Sequence, residues 1–420
     1  MSPAVTFEDI VRAHKRIDGS VVKTPCQQSP QLSQLTHMNT WCKLEFLQHT
    51  GSFKERGACN ALMQLDQTKR KTGVIAASAG NHALALAYHG MQLGISVTVV
   101  MPIFAPLIKI STCKNFKAKV VLHGKTFGQA VEKAKSIAAE ENRTYVHGYD
   151  DPAIIAGQGT TGLEILDQVP DVDAVVIPIG GAGLIAGMSL AIKTLRPEVQ
   201  IIGIEAENAC CYHDALEAGK PINVHAKPTL ADGLAVNTVG KNAFKIAKKH
   251  VDRVELVNEA ELSLAILRLV EREKCVVEGA GASSLAACLA GRLPELTGKN
   301  VVLTLCGGNI DPSILRRVID AGLAADGRIL RFTAKISDRP GGLAEFAKVL
   351  AATGASIKEV THDRTFAGPD VSAVLVACKV ETTDFDHIQR VFEALRKTKI
   401  PFKPIETDAS LFDIDCTHSE

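Results

Sequence analysis

The sequence predicts an α/β protein whose larger part is built on parallel sheet, followed by a small α+β unit. Three observations predict it. Short apolar runs alternate with helical patterns from about residue 40 to 320, the alternation that produces parallel strands joined by helices. Three of those runs end in glycine-containing turns, the places where open α/β sheets bind ligands. After a polar, glycine-containing stretch at 320–328 the order changes to β-α-β-β-α-β.

Along the chain, the first informative element is Thr50-Gly51-Ser52-Phe53-Lys54-Glu55-Arg56-Gly57, which sets one lysine in an apolar, glycine-flanked position just before a helix. A lysine held that way can lose its proton near neutral pH and form an imine with a carbonyl cofactor. Next, the strand Gly73-Val74-Ile75 leads through 76–83, Ala-Ala-Ser-Ala-Gly-Asn-His-Ala, into a helical run with Leu84, Leu86 and Tyr88. The backbone N–H groups of such a helix start bind an anion, and a substrate carboxylate fits there. A helix is expected over 127–141, with Phe127, Val131, Ala134 and Ile137 on one apolar stripe. Residues 174–187, AVVIPIGGAGLIAG, read as a buried strand, a glycine turn and a helix start, which cradle a phosphate with backbone amides. Residues 301–309, VVLTLCGGN, read as a strand ending in Cys306 and a Gly-Gly turn.

Taken together these segments resemble the fold-type II pyridoxal-phosphate enzymes, within them the threonine/serine dehydratase and serine racemase branch. The resemblance covers roughly residues 5 to 325. Its markers are TPCQQSPQLS (24–33), KLEFLQHTGSFKERGA (43–58), ASAGNHALA (77–85), DDPAIIAGQGTTGLEI (150–165), PIGGAGLIAG (178–187), TLADGLAV (229–236), VVEGAGA (276–282) and TLCGGNID (304–311). It implies a two-lobed catalytic domain over 1–325, with a smaller mobile lobe at roughly 50–155. The lysine motif and the SAGNH segment are specific to this group.

Carried over residue by residue, the resemblance makes Lys54 the residue that holds pyridoxal 5'-phosphate through its aldehyde carbon and then acts as the base at Cα. Ser78 and His82 join it as expected catalytic residues. Phe53 would stack on the pyridine ring, Asn81 would hydrogen-bond the ring hydroxyl, and Gly180, Gly181, Ala182 and Gly183 would wrap the phosphate. Ala182 departs from the family, which usually has glycine there; its methyl is expected to require negative φ, with Cβ turned away from the phosphate. Cys306 would sit beside the pyridine nitrogen. A thiol there does not force a proton onto that nitrogen, so the ring is a weaker electron sink and expulsion of a β-leaving group is favoured.

The residue after Ser78 separates the two branches. Racemases of this group have a serine there, the acid/base for the opposite face of Cα, whereas this chain has Ala79. A methyl cannot deliver a proton. The expected activity is therefore α,β-elimination, converting L-threonine to 2-oxobutanoate and ammonia and L-serine to pyruvate and ammonia. The alternatives are a serine racemase with side dehydratase activity and a catalytically inactive amino-acid sensor. Relatives also bind a hard cation through a carboxylate and a backbone carbonyl four residues on. Glu205 and the Ala209 carbonyl match, but Cys211 replaces a second carboxylate and is a poor ligand for Mg²⁺ or Ca²⁺. A monovalent cation or none is expected there. Cys210-Cys211 reads as reduced thiols, and no metal centre is expected.

Residues 326–330 are expected to link to a domain over 331–406, with 407–420 as a polar tail. Arg331–Ile336 reads as a strand, Asp338–Gly342 as a turn, and Leu343, Phe346, Ala347 and Leu350 as a helix face stopped at Gly354. Two strands at 356–364 and 370–381, a helix striped by Phe385, Ile388, Val391, Phe392 and Leu395, and a closing strand at 401–405 follow. This resembles an ACT domain, which implies an amino-acid effector such as isoleucine or valine. The family also implies a homodimer or homotetramer. The chain carries a net charge of +1 without a long basic run, which argues against nucleic acid. No apolar stretch reaches the ~20 residues needed to span a bilayer. Scattered cysteines and an N-terminus without a basic or hydrophobic leader point to the cytoplasm.

Overall fold

A computed structural model of the chain describes residues 5–364 and 371–405. It divides into two compact units, residues 1–312 and 313–420. The first contains two sheets. The larger has six strands in the spatial order Cys26–Gln28, Asn39–Lys43, Asn300–Thr304, Ala174–Pro178, Gln200–Ala206 and Arg253–Val257, all parallel except the first. The smaller has four parallel strands in the order Lys119–Leu122, Val97–Met101, Val74–Ala77 and Thr144–Tyr145. Every residue of Val74–Ala77, Val97–Met101 and Ala174–Pro178 is buried, as a parallel sheet covered on both faces requires.

Helices set the strand ends at the site. The helix Lys54–Met63 begins with its lysine and packs on Pro152–Gln168. The two backbones come so close that a Cβ on Gly157 would lie 2.6 Å from the Arg56 carbonyl oxygen. Pro152–Gln168 starts cleanly because Pro152 occupies its first turn and the Asp151 side chain accepts from the Ala153 N–H. The expected stripe of Phe127–Glu140 is corrected in part. Ala130, Ala134 and Ile137 are buried, but Phe127 is 50% exposed. Phe127 and Val131 line a cavity, Val131 while also packing on the cluster that holds Ala130, Ala134 and Ile137.

The second unit opens with the helix Pro312–Ala325, so the stretch expected as a connection from Asp320 is helical up to Ala325. Val318 and Gly322, one turn apart, form its buried face. The strand Ile329–Ser337 then begins directly, leaving only residues 326–328 between. Gly342–Thr353, Ser356–Asp363, Ala373–Glu381, Phe385–Lys397 and Phe402–Pro404 follow in the order α-β-β-α-β. The four strands form an antiparallel sheet in the order 356–363, 373–381, 329–337 and 402–404. Alternate residues Leu330, Phe332, Ala334 and Ile336 point into a core shared with Phe346 and Phe392. Gly354 stops its helix in the left-handed conformation, φ 85°. The expected strand start at Asp370 and the tail 407–420 lie outside the described residues.

Candidate active site

A cavity of about 700 Å³ in the first unit collects the predicted site residues. Phe53, Lys54, Ser78, Asn81, His82, Gly180, Gly181, Ala182, Gly183 and Cys306 all line it. They come from four separate segments. Each lies at or just beyond a strand's C-terminal end or a helix start, where backbone groups are left over for a ligand.

Lys54 donates to the Gly148 carbonyl at 2.9 Å and lies 5.0 Å from the centre of the Phe53 ring. Its accessible surface leaves it only half-buried, because its tip opens on the cavity. Burial nevertheless pulls its pKa down to about 8, against the opposing effects of Cys306 and Glu278. A substantial fraction is thus the free amine near neutral pH. Behind it, a buried network fixes the helix. Arg56 binds Glu45 and Glu164 through its guanidinium, and Lys43 binds Glu164 at 2.6 Å, two cations against two carboxylates.

Around the loop 77–82, Ser78 Oγ accepts from the Gly80 N–H at 3.2 Å, a local turn that leaves its own proton for a ligand. The helix Asn81–Leu93 starts without a side-chain cap. Asn81 donates from Nδ2 to Glu278 at 2.7 Å and accepts at Oδ1 from Asn309 Nδ2 at 2.9 Å. His82 has Nε2 3.3 Å from the Val146 carbonyl, so Nε2 carries the proton, and its buried Nδ1 has no partner among the described residues. Burial, reinforced by Lys54, drops its pKa to about 3, and the imidazole is neutral.

The glycine turn follows the strand Ala174–Pro178 and opens the helix Gly183–Leu195. Among the described residues, the N–H groups of Gly180, Gly181 and Ala182 donate to no protein acceptor. A Cβ on Gly181 would lie 2.2 Å from the Tyr149 ring, so this position accepts only glycine. The expectation for Ala182 is overturned. It caps the helix at φ 67°, ψ 5°, a left-handed conformation held by a residue with a Cβ. The helix entry forces that geometry, which is why glycine is the usual choice. Cys306 lies two residues beyond the end of its strand at Thr304, not at it, and its carbonyl accepts from the Phe53 N–H at 3.0 Å. Burial pushes its thiol well above the ordinary range, so it stays neutral.

These features fit pyridoxal phosphate. There is an amine of lowered pKa opening on the cavity, a set of backbone N–H groups at a helix start without a protein acceptor among the described residues, and a neutral thiol. Glu278, Asp232, Lys109, His147 and Tyr149 also line the cavity, and none was assigned a role from the sequence. Glu278 had a signal, a lone carboxylate between an apolar run and a glycine run in VVEGAGA. Lys109 had none, since its neighbours Leu107 and Ile108 are exposed. The candidate cation site centres on the Glu205 carboxylate. Both oxygens of the buried Glu205 carboxylate accept N–H groups, from Tyr212 at 2.9 Å and His213 at 2.8 Å. All ten described cysteines are free thiols. No helix among the described residues is long and apolar enough to cross a membrane.

With this geometry the chain is a pyridoxal-phosphate dependent enzyme: the profile of that family, described as "Pyridoxal-phosphate dependent enzyme", matches residues 17–307, and the chain belongs to the family. More particularly, it is 42% identical over 391 residues to an L-threonine ammonia-lyase of Thermotoga maritima, covering 93% of this chain and 97% of that protein. Among solved structures, the processed form of threonine deaminase isoform 2 from Solanum lycopersicum superposes with a TM-score of 0.72 and 33% identity, over 75% of this chain and 93% of that one. Serine racemase from Dictyostelium discoideum gives 0.70 and 35%, over 73% and 99%.

Proposed function

We propose that this chain is an L-threonine ammonia-lyase that also accepts L-serine, releasing ammonia with 2-oxobutanoate or pyruvate. The observation that carries the reading is the presence of Lys54 and Ala79 in one cavity: an amine that exchanges a proton near neutral pH, and a methyl where a second proton donor would have to stand. The names of the similar lyase and deaminase support it. Bound in the cavity, pyridoxal phosphate supplies an aldehyde carbon for the substrate amine and a conjugated ring that delocalises the electron pair left at Cα.

The chain's residues supply the rest. Lys54 Nζ takes the Cα proton. The Ser78 hydroxyl and the start of the helix Asn81–Leu93 hold the substrate carboxylate. The N–H groups of Gly180, Gly181 and Ala182 would hold the phosphate, and the neutral Cys306 would stand beside the ring nitrogen without protonating it, a setting that would favour loss of the β-hydroxyl over return of the proton to Cα. Because the Ala79 methyl offers no proton to the opposite face, inversion at Cα lacks its partner.

The test is to incubate the cofactor-loaded protein separately with L-threonine and L-serine, following 2-oxo acid release while resolving serine enantiomers. Rapid oxo-acid formation with little D-serine is expected, and Lys54→Ala should abolish both the visible band of the bound cofactor and turnover, by more than about a thousandfold. Dominant D-serine would favour the racemase reading, and no turnover the sensor reading.

The second unit belongs to the same proposal as an ACT domain, with a branched-chain amino acid as effector at the turn Asp338–Gly342. The element order β-α-β-β-α-β supports it. Isoleucine or valine added to the full-length protein should then shift the threonine saturation curve, and an unmoved curve would make the unit a structural appendage. We also propose a homodimer or homotetramer, a cytoplasmic location, and a monovalent cation at Glu205 and the Ala209 carbonyl.

A further inference from the structure

Glu278 is a buried carboxyl in the catalytic cavity without an assigned role. It precedes the helix Gly279–Leu289 as its N-cap residue, yet its side chain makes no capping hydrogen bond. The ordinary structural use of an acidic N-cap is therefore absent. Its backbone is anchored instead by donation to the Gly307 carbonyl at 3.0 Å, and the carboxyl turns to Asn81, accepting Nδ2–H at 2.7 Å. Space for it is built in. A Cβ on Gly307 would lie 2.3 Å from Glu278 Oε1 and 3.3 Å from Asn81 Nδ2. Asn309 completes the arrangement, with Nδ2 donating to Asn81 Oδ1 and to the Thr50 carbonyl. Asn81 is thus held at both ends of its amide, with its oxygen and nitrogen fixed by their partners. One Nδ2 hydrogen is spent on Glu278, leaving the other for a ligand.

We propose that Glu278 is a positioning residue of this site: as a carboxylate it holds the Asn81 amide in one orientation, and through it the ring hydroxyl of pyridoxal phosphate. The inference rests on the cofactor reading above and assigns a role that reading does not contain.

The groups around Glu278 make its charge state consequential. Burial, then repulsion from Asp232, raises its pKa to about 7, while Lys109, Asn81 and the Asn309 backbone N–H favour the charged form. Lys54 and Cys306 also interact electrostatically with it. The ionised carboxyl accepts from its donors. A protonated carboxyl still accepts through its carbonyl oxygen, but the bond from Asn81 Nδ2–H then loses the strength that the negative charge gives it. Protonation therefore loosens Asn81. Cofactor binding should tighten as pH rises through about 7, a step separate from that of Lys54 at about 8.

The experiment compares the full-length wild type with Glu278→Gln, Asn81→Ala and the double variant. It measures pyridoxal phosphate dissociation constants by fluorescence and the visible band of the holoproteins from pH 5.5 to 8.5, with thermal unfolding of each protein as the check on folding. Glu278→Gln should weaken cofactor binding about tenfold, the range for hydrogen bonds to a charged group. It should also erase the lower inflection of cofactor affinity, near pH 7, while leaving the upper one set by the free Lys54 amine of the cofactor-free protein. In the Asn81→Ala background the same change should have little further effect, because its route is gone.

Equal binding and an unchanged lower inflection in Glu278→Gln would overturn the assignment, as would effects of the two substitutions that simply add. Should Glu278→Gln fold poorly, Gly307→Ala provides the second variant, since its methyl displaces the carboxyl from Asn81 and should reproduce the lost inflection. A wild type that binds no pyridoxal phosphate would overturn the parent reading and this one with it. A wild type that binds it while Glu278→Gln matches it in every measurement would overturn this one alone.

Discussion

In the first unit, Lys43, Glu45, Arg56, Glu164, Glu205 and Glu278 are all buried, whereas in the second the buried polar side chains among the described residues are Thr382 and His387. The second unit closes around Phe332, Phe346, Phe392, Ile388 and their aliphatic neighbours. The difference teaches where each unit is vulnerable. An apolar core responds to lost volume and is indifferent to pH, while a core with charges depends on every partner being present. The charges are not spread evenly either. Arg56 stands two residues after Lys54 on the same helix, and Glu278 shares the cavity with it, so the charged interior and the chemistry occupy one place.

The largest expected effect removes one partner from that interior. Arg56→Ala would leave Glu45 and Glu164 without the guanidinium that binds them both. A loss of about 3–5 kcal/mol is expected, because the uncompensated buried charge and not the lost attraction sets the cost. Denaturant unfolding of the first unit measures it. In the second unit, Ile388→Val should cost about 1 kcal/mol, the ordinary figure for one methyl. If Arg56→Ala cost no more than that, the network would be hydrated and the contrast between the units would fail.

The next effect is smaller and carries a sign. Burial raises the Glu205 pKa to about 8, well above its unfolded value, with the Tyr212 and His213 N–H groups only partly opposing. Between pH 4.5 and 8 the folded state therefore holds a proton that the unfolded state has released, so this group's contribution to stability falls as pH rises through that window. Glu205→Gln does not titrate. Its stability relative to wild type should climb by about 1 kcal/mol per pH unit between 5 and 7.5, and level off above 8. Potassium added at pH 7.5 should shrink the difference if a monovalent cation sits at this carboxylate. A flat difference across the window would show that Glu205 is ionised throughout.

These contrasts also separate what was legible in the sequence from what was not. Strands such as Ala174–Pro178, bounded by glycine turns, could be read because a buried parallel strand is a run of apolar residues. The site residues could be read because each stands in a local motif at a strand or helix end. The charged interior could not. Glu45, Arg56 and Glu164 are far apart in the chain, and nothing local distinguishes a buried arginine from a solvated one. Phe127 misled for the complementary reason, since helical periodicity assigns an apolar side chain to a stripe without saying that the stripe ends at a cavity mouth.

Ala182 tests the boundary between the two kinds of information, and its expected effect is the smallest. The sequence shows an alanine in a glycine turn, and the structure shows that it holds φ 67° at the start of the helix Gly183–Leu195. A left-handed residue with a Cβ carries about 1–2 kcal/mol of strain, from which the greater chain entropy of glycine in the unfolded state subtracts about 0.4–1 kcal/mol. Ala182→Gly should then stabilise the cofactor-free protein by roughly 0.5–1 kcal/mol, a rise of about 1–2 °C in Tm for a unit of this size. The same substitution should tighten pyridoxal phosphate binding a few-fold if strain is relieved only when the loop is free to close on the phosphate, and leave it unchanged if the strain is already spent in the cofactor-free fold. A lower Tm would mean that the loop tolerates the methyl without strain, and that alanine here restricts the unfolded chain more than it burdens the folded one.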